Sequence, residues 1–275
     1  MASSQKARRL KPGRPQGDGP LVGRKGRLVK ALGGLIAAAV VSGTAVYLFL
    51  ALAPGGSTGG PKMAAIVDQL SLTQPNPTFA ETATAILEEA GYVVDYYPGE
   101  EVTVDFYRDL PTHGYDLLLL RVHSGLARDY GKPTGYVSLF SGEPFDETKY
   151  VQEKAAGLLG RASYYEGSPQ VFGIVPAFIE SSMRGRFDGA TVVMLGCDGL
   201  ITDATAEAFV HKGAKTVVGW SGRVLAEHTD AAAEHLLRHL LADGLTLQSA
   251  VARTMTEVGP DPEFDSRLLV YPSKG

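Results

Sequence analysis

The chain has one cysteine in 275 residues, Cys197, so no internal disulfide can form and the fold must hold itself by packing. No HExxH pattern accompanies its histidines, which argues against a zinc peptidase of that type. The first strand-like run is followed by SLTQPNP rather than a glycine-rich loop, which disfavours a phosphate cradle and hence a nucleotide. GxSxG is also missing, so the commonest α/β-hydrolase arrangement is excluded. There is no internal repeat.

Charge is unevenly placed. Residues 1–30 carry nine Lys/Arg against Asp18 alone, a net +8; with −4 overall, the other 245 residues carry −12. The basic tail is rich in Gly and Pro, has no interleaved aromatic residues and runs straight into an apolar segment. Nucleic acid is therefore not the expected partner. That segment, residues 31–53, contains no charged residue. As a helix rising ~1.5 Å per residue it would span roughly 35 Å, enough for a ~30 Å hydrocarbon core. A cleavable signal peptide fits less well: the basic region and the apolar run are both too long, and Pro54 follows the small-x-small site. The expectation is a single transmembrane helix. Positive charge on its N-terminal side places residues 1–30 in the cytoplasm and the rest outside the cell membrane. Residues 54–62, opening PGGSTGGP, then form a flexible tether to one domain, 63–275.

In that domain, strand-length apolar runs alternate with helix-like segments. Strands are expected at 63–70, 92–97, 115–122, 190–196, 215–220 and 267–271, with a short one at 171–175. Helices are expected at 79–90, around 104–110, and at 176–184, 204–212, 226–242 and 247–258. Residues 124–169 are less regular, with a β-like run at 136–140 and a helix expected over 146–159. Continuous apolar strands alternating with helices predict an α/β fold, a mostly parallel sheet with helices on both faces.

In such sheets sites form beyond the carboxyl ends of the strands. YDLLLLRV ends in His123-Ser124-Gly125, and ATVVMLG ends in Cys197-Asp198-Gly199. Should those strands be neighbours, an imidazole and a thiol meet at one edge, which is what a thiolate nucleophile requires. Gly125 and Gly199 would let the backbone turn and aim N–H groups at an oxyanion. His235 and His239 stand four apart on one expected helix with His228. That spacing suits a metal, but without a carboxylate pattern they read as surface or groove residues, and no metal or organic cofactor is required. His113, in a Pro/Gly loop, and His211, in a last helical turn, read as structural.

DLLLLRVHSG and TVVMLGCDGL resemble the blocks carrying the catalytic His and Cys in caspase-like, clan CD cysteine peptidases, notably their CHAT, gingipain and clostripain relatives. AEAFVHKGAKTVVGWSGRV and TDAAAEHLLRHLL are similar to the CHAT segment after the cysteine. The likeness spans residues 63–272. It departs from the family at Leu195-Gly196, where caspases have Gln-Ala, and at Ser124, where His is often followed by Gly. It implies a thiol endopeptidase acting on a peptide or protein substrate: His123 as general base and acid, Cys197 as nucleophile, and N–H groups near Gly125 and Cys197 for the oxyanion. Ser124, Asp198, Trp220 and Ser221 are expected along the groove. The rival expectation is an inactive, membrane-tethered sensor or scaffold of the same fold. A third, a small-molecule-binding flavodoxin-like domain, expects a large pocket away from Cys197.

Overall fold

Strand β1 (Lys62–Asp68) is buried from Ala64 onward, and β3 (Leu117–Arg121) is buried throughout. Parallel strands covered on both faces take such continuous apolar sequences. Side-chain period 2 then sorts each strand between two cores. Ala65, Val67, Leu118 and Leu120 join one; Ala64, Ile66, Leu117 and Leu119 join the other. The computed structural model describes residues 60–129 and 131–272; the expected tail, membrane helix and most of the tether lie outside them. Among the described residues no helix is long and apolar enough to cross a membrane.

These residues form a six-stranded sheet in the order β10-β9-β8-β3-β1-β2. β2 spans Tyr92–Pro98, β8 Thr191–Met194, β9 Thr216–Trp220 and β10 Leu268–Tyr271. Neighbours run parallel except β10, which pairs antiparallel with β9. Helices cover both faces, as expected. Helix α1 (Pro77–Glu89) buries Phe79, Ala83, Ile86 and Leu87; its Asn76 cap accepts from the Phe79 N–H at 3.1 Å. The same core receives Ala232, Ala233, Leu236 and Leu237 from the helix here called α6 (Ala226–Leu237), and Ala250 and Val251 from α7 (Leu247–Glu257). The opposite core takes Tyr107 from α2 (Val104–Asp109), Phe178 and Ile179 from α4 (Pro176–Ser181), and Phe209 from α5 (Ala204–His211). Gly213 ends α5 at φ +109, where a Cβ would strike the Phe187 backbone.

The less regular stretch is a second sheet. Strands β4 (Ser124–Asp129), β5 (Lys132–Pro144), β6 (Leu159–Ser163) and β7 (Gln170–Ile174) pair antiparallel in the order β4-β5-β7-β6. The short strand expected at 171–175 thus belongs here. The helix expected over 146–159 shrinks to α3 (Val151–Ala155). Asp146 diverts its start, because Oδ1 accepts from the N–H and hydroxyl of Thr148, both at 2.7 Å, in a local turn. Tyr150 follows in the left-handed region at φ 49, and Gly157 at φ +70 ends the turn before β6.

Candidate functional site

The chain leaves β1 for β2 on one side and returns to β3 on the other, so the connections diverge at the β1–β3 junction. Crevices open there, beyond the carboxyl ends. β3 lies between β1 and β8, so His123 and Cys197 leave adjacent strands at the same end of the sheet. Both line one cavity of about 260 Å³, closed by Leu70, Gln74, the 223–229 segment and Phe264.

His123 is held at three points. Its backbone N–H donates to Gln69 Oε1 at 2.8 Å, its carbonyl accepts from the Phe140 N–H at 2.8 Å, and its Nε2 meets Thr73 Oγ1 at 2.7 Å. Tyr164 lies across the ring with centroids 5.0 Å apart, its hydroxyl accepting from Gln69 Nε2 at 3.0 Å. Burial, aided by the Arg121 charge, lowers the imidazole to about 4 from its ordinary 6.5. The ring is therefore neutral at pH 7.

Arg121 anchors this floor. Fully buried, it donates from Nη1 to Asp68 Oδ1 at 2.6 Å, from Nε to Asp230 Oδ1 at 2.7 Å, and from Nη2 to Asp230 Oδ2 at 2.8 Å and the Gln74 carbonyl at 2.9 Å. One guanidinium thus joins the end of β1, the loop after it and α6 beneath the histidine. A bidentate fork of this kind fixes geometry as well as charge.

Cys197 is half-buried, packs against the α1/α6/α7 core, and donates from Sγ to the Val224 carbonyl at 3.6 Å. Burial pushes its thiol pKa up, against the lowering effect of that hydrogen bond. Gly196, before it, sits where a Cβ would overlap the Val122 carbonyl and Ser124 Oγ. Only glycine lets β3 and β8 close up here. Ser124 Oγ donates to the Cys197 carbonyl at 2.6 Å, while Asp198, at φ 63, accepts from the Leu126 N–H at 3.3 Å.

Several expected groove residues therefore have other tasks. Ser124 and Asp198 clamp the cysteine turn to β4. Gly125 stands within β4 opposite Ser138, where it lines a separate cavity of about 290 Å³. Gly199 packs against Gly219, where a Cβ would lie 3.3 Å from the Gly219 Cα. Trp220 shares the core face of Val218, as the period-2 rule requires, and is fully buried with Nε1 donating to Thr229 Oγ1 at 2.9 Å. Ser221 exchanges hydrogen bonds with Arg267 in front of β10. Thr73, Gln69 and Tyr164 carry no sequence signal, because they reach His123 from segments 50, 54 and 41 positions away.

A larger groove of about 780 Å³ runs along β10 and α7, away from Cys197. It follows the sheet's edge strand rather than the strand ends where α/β folds bind ligands. The sequence matches no protein-family model and no curated protein.

Proposed function

We propose that the chain is a membrane-anchored, caspase-like cysteine endopeptidase, with residues 31–53 as the anchor and the α/β domain outside the cell membrane. The observation that carries this reading is the convergence of His123 and Cys197, from adjacent parallel strands, on one cavity. With Nε2 directed at Thr73, Nδ1 is the ring nitrogen left for the thiol. The required tautomer keeps its proton on Nε2, donated to Thr73 Oγ1.

Both groups start neutral: the imidazole is lowered and the thiol raised. His123 therefore acts as general base during attack rather than as half of a preformed ion pair. Nδ1 takes the thiol proton as Sγ bonds to the scissile carbonyl carbon. The carbonyl π pair moves to oxygen, where backbone N–H groups of Ser124 and Cys197 stabilise it. Collapse of the tetrahedral adduct expels the amine, which takes the proton from His123 and leaves a thioacyl enzyme. Water, deprotonated by the same ring, releases the acid and restores the thiol.

The Sγ contact with the Val224 carbonyl favours the rival, an inactive tethered domain that binds a peptide in the same cavity and uses the cysteine for packing. Incubating a peptide library with the full-length protein and sequencing the new termini separates the two. The peptidase yields new termini that Cys197→Ser and His123→Ala both eliminate. No cleavage by the wild type, or equal cleavage by Cys197→Ser, favours the rival.

A further inference from the structure

The two histidines left without a carboxylate partner in the sequence acquire one in the fold. Glu257, at the end of α7, brings Oε2 to 3.1 Å from His235 Nδ1 and 2.9 Å from His239 Nε2. One atom from each of the three residues lies within 4.8 Å of the others. A divalent ion with bonds of ~2.0–2.2 Å sets tetrahedral ligand atoms roughly 3.3 Å apart. The cluster is near that size.

His239 is placed as an oriented metal ligand would be. Its Nε2 faces Glu257 and its Nδ1 meets Asp243 Oδ2 at 2.8 Å, so carboxylate oxygens stand at both nitrogens of a buried ring. A cation at Nε2 would be shared with Glu257 Oε2. Nδ1–H then donates to Asp243, the carboxylate–histidine–metal relay that orients ligands in metal sites. The helix is distorted at this point: Arg238–Ala242 widens to π geometry, with the Asp243 N–H donating to the Arg238 carbonyl at 3.0 Å. Such bulges recur at functional sites. Arg253 Nε donates to Glu257 Oε1 at 2.9 Å, leaving Oε2 as a single-oxygen ligand.

We propose that His235, His239 and Glu257 form a binding site for a divalent transition-metal ion, Zn²⁺ by the softness and geometry of its N₂O donor set, with Asp243 orienting His239 and the fourth position open to water. The ion ties α6 to α7. It sits just ahead of the loop that brings Glu263 and Phe264 to the Cys197 cavity.

The test is Zn²⁺ titration of the full-length protein in a Cys197→Ser background, against a competing chelator. Co²⁺ serves as a spectroscopic stand-in. One equivalent of Zn²⁺ should bind, with His235→Ala and Glu257→Gln each weakening it at least ~10-fold and Asp243→Asn by ~10- to 100-fold. Bound Co²⁺ should show four-coordinate visible absorption. Should a buried-site change disturb folding, His235→Ala alone decides, because 46% of that side chain is exposed. Absence of a bound equivalent, or unchanged affinity in His235→Ala, overturns the site.

Discussion

Thr73 gives the His123 ring its direction. One hydroxyl at 2.7 Å engages Nε2 and leaves Nδ1 as the nitrogen the proposed pair requires. Thr73→Val keeps the shape and removes the hydrogen bond, worth about 1 kcal/mol. Peptide cleavage should slow by about fivefold in kcat/KM, and Thr73→Ser should restore most of it. An unchanged rate in Thr73→Val would leave the ring without a positioning partner there. Glycine 196 is a sharper case. Ala at that position drives a methyl group into the Val122 carbonyl and Ser124 Oγ, so Gly196→Ala should part the two strand ends. It should abolish cleavage while the protein still unfolds cooperatively in denaturant. Full activity in Gly196→Ala would show that the spacing there is not needed.

Elements are held together beneath the site by charge as well as by apolar packing. Arg121 on β3 joins Asp68 on β1 and Asp230 on α6, all three buried. Arg121→Met would strand two carboxylates without their cation, a change that costs roughly 3–5 kcal/mol in comparable buried pairs. Urea unfolding of the variant should show a loss of that size; a loss below ~1 kcal/mol would mean that water compensates the carboxylates. The sequence reveals YDLLLLRV as a buried strand because four successive leucines need cover on both faces. It does not reveal what Arg121 inside that run pairs with, since Asp68 and Asp230 lie 53 and 109 positions away. The second sheet was hidden for a related reason. Its strands are broken by Gly, Pro and polar residues, and antiparallel strands covered on one side lack the continuous apolar signature.

At the scale of the molecule, the parallel sheet, its helical cover and the placement of His123 and Cys197 after neighbouring strands are legible, because each follows from apolar runs and from residues directly after them. The walls of the cavity are not. The 223–229 segment, Phe264 and Tyr164 come from loops whose course depends on packing. Trp220 shows the limit: it is the last residue of β9 rather than one beyond it, so strand parity turns it inward. The buried imidazole also leaves a mark on the whole fold. With a native value of about 4 against 6.5 when unfolded, the unfolded chain takes up a proton on His123 between those values while the native chain does not. Stability from this group is full above about pH 6.5 and is lost as pH falls toward 4, by up to about 3 kcal/mol. Relative to His123→Asn, the wild type should lose that much more stability between pH 7 and pH 4 in denaturant titrations. Parallel curves would place the imidazole in water.

The central claim is that imidazole and thiol act as a pair. Its most direct test is the rate at which a set of peptidyl acyloxymethyl ketones labels Cys197 in the full-length protein and in His123→Ala, with iodoacetamide as an alkylating agent indifferent to the pair. The pair requires that at least one peptidyl probe modify Cys197 in the wild type and that His123→Ala reduce this by ~100-fold or more, within the range for loss of a general base. Peptidyl labelling that proceeds at the same rate without the imidazole would contradict it.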